Sequence, residues 1–384
     1  MSRIFVAGIG AVSPAGWNVA ALRGALERNE PLPVQTLPRP GWDKPLRARL
    51  VPNPPARPEF LAHPRLRRTS PITHYAAAAA LEAVAALRAN PAAKNFRLGI
   101  IVCLQSGCVQ YSCRFYDETL KNPATASPLV FPETVYAAPT SHVAALLENV
   151  VLAYSLVGDP SAFLQGVALG VQWLEENRVD ACLVIGAEET NWITADALRI
   201  LDRSAIVAAG AGALCLCREP NLSAGVELAA ITDAHTYSAR LNRSQAAQAM
   251  RGQLRDPGAP ASCRPVALLP NGQIAGKMPA LPETAELLCD GIGNSPRADA
   301  AERSAWSDWT GPRVSPKMIL GEGLMAAAAW QCVAACDVVA EKKFTAASVS
   351  LVGPNQQAIG ARFVCANFDI SHLSAAVPTG NIRP

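Results

Sequence analysis

Residues 156–174 constrain the fold most, because they place a turn and a buried helix directly before a buried strand. Phe163, Val167 and Leu174 recur at helical spacing, and almost no polar residue interrupts the stretch. A helix that is apolar on nearly every side is a buried helix. Residues 181–187 are continuously apolar, as in a strand that is covered on both faces. The chain is therefore predicted to be α/β, with this helix and strand in its interior.

The start of that helix is where an α/β domain can hold a nucleophile, since a helix N-terminus lowers the pKa of a thiol. Here the position holds Asp159, Pro160 and Ser161, and no cysteine. Asp159 is a favourable N-cap residue, and Pro160 suits the first helical position. The sequence therefore predicts a well-capped helix without a thiol nucleophile.

The 384 residues can form two domain-sized halves around a large core. Half of them are hydrophobic and 17% are charged, a composition that also suits a chain with surface buried in an oligomer. The net charge of +3 is small for this length and argues against nucleic acid as the main partner. No signal-like leader is evident, and the run 323–340 is predicted to be a core helix rather than a membrane span. We expect a soluble, cytoplasmic protein.

The eleven cysteines include no Cys-x-x-Cys pair. Cys215 and Cys217 lie in a predicted strand, and Cys332 and Cys336 lie in a predicted helix. Neither spacing resembles that of a zinc site. We therefore expect buried, reduced thiols, and neither a metal ion nor a cofactor.

Both halves of the chain alternate predicted strands and helices. The first strand, residues 3–13, contains Gly8 and Gly10 but lacks the third glycine of a dinucleotide-binding loop. Further strands are predicted at residues 98–103, 181–187, 213–217, 226–232, 286–291, 348–353 and 360–364. Further helices are predicted at residues 18–26, 73–87, 141–149, 244–255, 301–309 and 324–339. This alternation predicts sheets packed between helix layers, with halves at 1–220 and 221–384. No structure is assigned to residues 257–282.

An insertion at about residues 104–140 has few regular signals but is rich in aromatic residues. Aromatic side chains in an irregular segment pack against the host domain or against a partner. The aromatic residues of the insertion are Tyr111, Phe115, Tyr116, Phe131 and Tyr136.

Six segments carry a family resemblance over nearly the whole chain. They are residues 4–14 (IFVAGIGAVSP), 127–135 (SPLVFPETV), 179–188 (VDACLVIGAE), 210–214 (GAGAL), 290–302 (DGIGNSP, then Asp299 and Glu302) and 317–322 (KMILGE). In order and spacing they resemble the β-ketoacyl-acyl-carrier-protein synthases of the thiolase superfamily. The resemblance implies a five-layer αβαβα thiolase-like fold of two related halves, assembled as a dimer across the first half.

The departures from the family pattern fall on its catalytic residues. The family's acyl-accepting cysteine corresponds to Pro160 here, give or take one residue. Its two histidines, which hold the malonyl thioester and stabilise the enolate formed on decarboxylation, correspond to Asp290 and Glu322. A carboxylate cannot donate a hydrogen bond and would repel an enolate. The resemblance therefore implies that no catalytic set remains.

Lys317 is the retained member of the family's catalytic set. Without the other residues, it is expected to form a buried ion pair with Glu322 or Asp290. Phe163 stands where the family has a glycine and is expected to fill space beside the former site. Glu188, after a strand, is expected to anchor a loop.

A member of this family without the catalytic set resembles a chain length factor. Chain length factors pair with an active ketosynthase and shape the tunnel for the growing chain. The resemblance implies a heterodimer, inactive by itself, that serves an acyl carrier protein in type II polyketide or aryl polyene synthesis. The candidate tunnel or interface residues are Phe131 first, then Tyr111, Phe115, Tyr116, Tyr136 and Phe163. For all but Phe131, packing within their own subunit is the alternative.

Two other hypotheses stay open. In the first, Ser161 is the nucleophile of an acyltransferase or ketosynthase-like enzyme, with Asp290 or Glu322 as its base. In the second, the protein is a homodimeric acyl-binding scaffold. His142, on an otherwise apolar helix, is expected to be a hydrogen-bonded core residue.

Overall fold

The computed structural model of the protein describes residues 3–237, 243–255 and 286–366. Its strands are β1 (Phe5–Val12), β2 (Gln35–Leu37), β3 (Leu46–Arg49), β4 (Leu98–Leu104), β5 (Val150–Val157), β6 (Ala181–Glu188), β7 (Val207–Ala208), β8 (Gly210–Cys217), β9 (Val226–Ile231), β10 (His235–Thr236), β11 (Glu286–Cys289), β12 (Arg313–Val314), β13 (Ala346–Val352) and β14 (Gln357–Cys365). Its α-helices are α1 (Val19–Arg28), α2 (Pro71–Ala89), α3 (Val109–Lys121), α4 (Ala138–Leu147), α5 (Ala162–Glu175), α6 (Trp192–Leu201), α7 (Arg243–Arg255), α8 (Pro296–Ala305), α9 (Pro316–Leu320) and α10 (Met325–Ala340).

Most strands belong to two five-stranded groups that are joined at one edge. The first has the order β5-β4-β6-β8-β1, in which β4 is parallel to both neighbours and β8 is antiparallel to both. The second has the order β9-β14-β13-β11-β12, and β10 also pairs with β14. Strands β1 and β9 connect the groups through the pairs Phe5–Glu227 and Val6–Val226. Strands β2, β3 and β7 form a small separate sheet.

The helices cover and separate the two groups of strands, which gives five layers. Helices α2 and α4 pack on the first group, and α7 and α8 pack on the second. Helices α5 and α10 lie between the groups, and α10 is buried along nearly its whole length. The predicted thiolase-like αβαβα fold is confirmed. In the described ranges, no helix is long and apolar enough to cross a membrane.

The structure differs from the predicted elements in several places, and it adds β5 and α6, which were not predicted. The insertion contains a 13-residue helix, α3, where an irregular segment was expected. Val109, Cys113, Tyr116 and Leu120 recur in α3 at helical spacing, but no residue of this helix is buried, so its apolar side covers no core. Helix α8 spans Pro296–Ala305 rather than residues 301–309, because Pro296 lies in its first turn and Trp306 ends it. The boundary at residue 220 stays a prediction, and residues 257–282 lie outside the described residues.

Gly8 and Gly10 allow α2 to pack directly on β1. A Cβ atom on Gly8 would lie 2.1 Å from the carbonyl oxygen of Ala83, and one on Gly10 would lie 2.0 Å from that of Ala79. Any side chain at either position would push the helix away from the strand. These glycines therefore serve helix–sheet packing, which agrees with the rejection of a dinucleotide-binding loop.

We predict that Gly10→Ala destabilises the protein, whereas Gly252→Ala does not. The new methyl group at residue 10 would overlap the Ala79 carbonyl, and overpacking of this kind costs about 1–3 kcal/mol or more. At Gly252, inside α7, a methyl group meets nothing within 4 Å, and the helix gains up to about 1 kcal/mol. Thermal melting measures both variants, and equal midpoints would mean that α2 does not approach β1 this closely.

Candidate functional site

Asp159, Pro160 and Ser161 are buried in the turn before α5, at the position that the family resemblance assigns to the acyl-accepting cysteine. Oδ1 of Asp159 accepts hydrogen bonds from the backbone N–H of Ser161, at 3.1 Å, and from its hydroxyl group. The Asp159 carbonyl accepts from the N–H of Ala162 at 2.9 Å, which closes a tight turn. The α-helix consequently begins at Ala162 with Ser161 as N-cap. The predicted N-cap at Asp159 was therefore wrong by two residues, although its carboxylate still satisfies a free N–H at the helix start.

Asp159 also packs against the loop that follows β13. Its Oδ2 atom is buried without a hydrogen-bond partner, and a Cβ atom on Gly353 would lie 2.1 Å from it. The Tyr237 hydroxyl donates to the Gly353 carbonyl, and burial raises the pKa of Tyr237 to about 12. The start of α5 and this loop are thus in direct contact.

Phe163 lies in the core between β6 and α10. Its side chain is fully buried, and its ring is 3.0 Å from where a Cβ atom on Gly186 would lie. The same Cβ atom would lie 2.4 Å from the carbonyl oxygen of Met325. Phe163 therefore fills the space between the first group of strands and the middle helix layer.

Asp290, which the family resemblance aligns with one catalytic histidine, is fully buried at the end of β11. Its carboxylate accepts hydrogen bonds from the Ser315 hydroxyl at 2.6 Å and from the N–H of Ile292 at 3.2 Å. Arg313 lies 3.4 Å away as its ionic partner. Burial raises the pKa of Asp290, and these partners offset part of that rise. The acceptor capacity of Asp290 is therefore used within its own chain.

Glu322, which the family resemblance aligns with the other catalytic histidine, pairs with Lys317 at 2.9 Å. Lys317 is 8% exposed, so the expected buried ion pair of this lysine is confirmed. The other Glu322 oxygen accepts from the N–H of Leu324 at 2.8 Å. Leu324 has a φ of 49°, a conformation that is unfavourable for a leucine, directly before α10. Glu322 thus neutralises Lys317 and holds the strained turn that starts the central helix.

Glu302 is a buried acid whose importance the sequence did not reveal. It accepts hydrogen bonds from the Ser350 hydroxyl at 2.6 Å and from the N–H of Gly291 at 3.2 Å. Burial and the nearby charge of Asp290 raise the pKa of Glu302 to about 8, although its hydrogen bonds and Lys317 lower it. Its place in the Asp299…Glu302 segment was the only sequence signal.

Glu188 anchors the loop between β4 and α3, as expected. The carboxylate is fully buried and accepts hydrogen bonds from the N–H groups of Gln105 and Ser106. Burial raises the pKa of Glu188 to about 8, in opposition to these hydrogen bonds.

The geometry offers little for acyl-transfer chemistry. The Ser161 hydroxyl is fully buried and donates to Asp159, whereas Asp290 and Glu322 bind the other partners described above. The carboxylates at the two former histidine positions accept hydrogen bonds and cannot stabilise an enolate as anions. Across residues 3–237, 243–255 and 286–366, no cluster of three or more Cys, His, Asp or Glu residues could hold a metal ion.

The insertion and the edge strand β5 each expose several large apolar side chains, and we call these two segments together the insertion face. Strand β5 pairs with β4 and lies at the end of the sheet order. Exposed apolar patches of this kind mark interaction sites in soluble proteins. Its exposed residues are Tyr116, Leu120, Leu129, Phe131, Val135, Tyr136, Val151, Tyr154 and Val157.

The predicted tunnel aromatics differ in their surroundings. Phe131 is 55% exposed, and its ring centroid is 5.3 Å from that of the half-buried Phe115. Tyr116 is 62% exposed, and the exposed Tyr136 packs its ring against Gly107. Tyr111 is half-buried beside Arg114. These five residues lie in one insertion, whereas Phe163 lies in the core.

A cavity of about 510 Å³ lies between α3, α6 and the small sheet. Most of its walls come from segments that are distant in sequence, so no local pattern predicted it. Its lining includes Tyr75, Gln110, Cys113, Asp117 and Trp192.

No protein-family model and no curated protein matches the sequence. Solved structures match its fold. The ishigamide ketosynthase/chain length factor has a TM-score of 0.71 and 16% identity, over 94% of this chain and 99% of that chain. A β-ketoacyl synthase from Burkholderia phymatum has a TM-score of 0.74 and 15% identity, over 96% and 100%. The ketosynthase ApeO in complex with its chain length factor ApeC, from Xenorhabdus doucetiae, has a TM-score of 0.72 and 14% identity, over 95% and 98%. The chain therefore has the thiolase-like fold of the ketosynthases.

We predict that Glu302 makes the protein less stable as the pH rises from about 5 to about 8. With its pKa raised to about 8, Glu302 keeps its proton in the folded protein up to about that pH, whereas the unfolded chain releases the proton near the ordinary glutamate pKa of 4.5. The stabilisation is therefore complete below the lower value and is lost as the pH rises to the higher one, by at most about 1.4 kcal/mol per pH unit. Glu302→Gln mimics the neutral acid and should flatten this dependence.

Melting temperatures at several pH values measure the effect. Glu30→Gln is the control, because Glu30 is an exposed carboxylate. Parallel profiles for wild type and Glu302→Gln would mean that Glu302 is ionised in the folded protein.

Proposed function

We propose that the protein is a non-catalytic chain length factor. It pairs with an active β-ketoacyl-acyl-carrier-protein synthase of the same fold and shapes the acyl tunnel in type II polyketide or polyene synthesis. The observation that carries this proposal is that the positions corresponding to the family's catalytic histidines hold carboxylates with partners in this chain. Asp290 is held by Ser315 and Arg313, and Glu322 is held by Lys317.

These contacts explain why loss of activity is compatible with a stable fold. A buried carboxylate without partners would be strongly destabilising, whereas a paired one is tolerated. Both former histidine positions carry carboxylates with partners, and the helix start carries Asp159 bonded to Ser161. A single lost nucleophile could leave decarboxylation intact, but replacement of both enolate-stabilising donors removes that reaction as well.

The insertion face supports the partner part of the proposal. Strand β5 exposes Val151, Tyr154 and Val157 at a sheet edge, and no further strand of the described ranges pairs with it there. A soluble protein protects such an edge by pairing or covering it. The ketosynthase ApeO is solved in complex with its chain length factor, and a chain of that complex has the same fold as this chain. We infer that a ketosynthase subunit covers this face and that an acyl carrier protein delivers the growing chain to the complex.

The enzyme hypothesis based on Ser161 is less well supported. A serine nucleophile requires exposure to substrate and a base in hydrogen-bond contact. Ser161 is fully buried, and neither of the bases considered, Asp290 or Glu322, forms a hydrogen bond with it in the described part of the chain. A homodimeric scaffold would present the same insertion face to a second copy, and the subunit composition distinguishes it.

We predict that acyl groups load onto the partner and not onto this chain. The purified complex is incubated with an acyl thioester on the acyl carrier protein, and intact masses of both subunits are measured. The partner should gain the mass of the acyl group, and this chain should keep its mass. A gain on this chain that disappears in Ser161→Ala would contradict the proposal and favour the enzyme hypothesis.

We predict that Phe131→Ala and Tyr116→Ala lengthen the products of the complex. Both rings are more than half exposed on the insertion, so their removal opens space at the partner without a cavity in the core. Product lengths are measured by mass spectrometry after turnover. Trp42→Ala is the matched control, because this ring is 63% exposed but lies outside the insertion, over Arg39. Unchanged lengths for both insertion variants would exclude these residues from the tunnel wall.

A further inference from the structure

A hydrogen-bonded pair, Glu133–His142, connects the turn that carries Phe131 to α4. Nε2 of His142 lies 2.9 Å from one carboxylate oxygen of Glu133 and 3.0 Å from the other. Both side chains are only 14% exposed, so water screens the contact weakly. Glu133 lies within the 3-10 turn Phe131–Thr134, and His142 lies in the middle of α4.

The two ends of this pair differ in how firmly the fold holds them. Helix α4 packs on the first group of strands, with Val143 and Leu147 buried in the core. The turn Phe131–Thr134 itself has no buried residue, and the nearest buried side chain of this segment is Val130, directly before the turn. The turn also contacts α3, which itself has no buried residue. The Phe115 ring packs against Phe131, and the Ser112 hydroxyl lies 3.4 Å from the Thr134 carbonyl oxygen. The contact with His142 therefore ties the turn to an element that is fixed in the core.

The hydrogen bonding also fixes the tautomer of His142. A carboxylate only accepts hydrogen bonds, so Nε2 must carry the proton that points to Glu133. Nδ1 is buried and has no hydrogen-bond partner among the residues that the structure describes. His142 is therefore hydrogen-bonded as expected, but only through Nε2, and its partner is Glu133.

We propose that Glu133 and His142 are positioning residues that hold the Phe131 turn in place and thereby fix the product length of the complex. Phe131 is more than half exposed, so its own packing does not determine where its ring lies. The turn backbone and the Glu133–His142 contact determine it instead. The effect on product length rests on the proposed function of Phe131, whereas the effect on the turn does not.

The first test measures the turn in the full-length chain by hydrogen–deuterium exchange. His142→Ala should accelerate exchange in residues 127–138 about tenfold, because the lost hydrogen bond involves a charged group. His142→Gln should restore slow exchange, since its amide can donate to Glu133. Glu133→Ala removes the same contact from the turn side and tests it if the His142→Ala variant does not fold. Glu27→Gln, which weakens the exposed pair with Lys343, is the control and should change nothing in this segment. Wild-type exchange in both His142→Ala and Glu133→Ala would overturn the proposal.

The second test measures the products of the complex. His142→Ala should give longer and more varied products at a similar total turnover, as Phe131→Ala does, and His142→Gln should give the wild-type distribution. A purely structural role would lower turnover and leave the lengths unchanged, which would overturn the positioning role. If Phe131→Ala itself leaves the lengths unchanged, the proposed tunnel function fails, and the exchange measurement still decides whether the pair holds the turn.

Discussion

The structure depends on the close approach of α10 to β6 and β8 in the middle layer. Gly186 and Gly212 make it possible, because a Cβ atom on either would lie within 3 Å of Met325 or Ala329. The indole N–H of Trp330 donates to the carbonyl groups of Val12 and Ala211, each at 3.0 Å, which fixes the helix along the sheet. Helix α10 starts three residues after Glu322 and packs beside α5. Packing of this one helix therefore positions Glu322 and the start of α5, which the proposed function relates to the family's catalytic site.

The buried charged residues that the proposed function assigns to the former catalytic site are stabilised by contacts within this chain. Lys317 and Glu322 neutralise each other, and Arg313 faces Asp290. Glu302 avoids a further buried charge, because burial raises its pKa to about 8. Buried charges are tolerated only with such compensation. The exposed apolar side chains that could bind a partner lie elsewhere, on the insertion face. For this reason we infer that the chain shapes a partner's site.

The sequence predicted those features that arise from local patterns. The apolar runs that form α5, β6 and α10 were recognisable, and the need of a buried lysine for a partner predicted the Lys317–Glu322 pair. Features that depend on distant contacts were not predictable in this way. Helix α3 buries none of its residues against the core, and the start of α5 depends on a tight turn stabilised by Asp159. The contact between Glu133 and His142 joins two segments of different structure, and the family resemblance gave no indication of it.

The subunit composition of the native complex tests the central claim most directly. The chain is purified from its native host through a tag, and the mass of the intact assembly is measured by native mass spectrometry. We expect a one-to-one complex with a ketosynthase that carries the catalytic cysteine, and poor solubility of the chain when that partner is absent. A stable, monodisperse homodimer of this chain that needs no partner would contradict the claim.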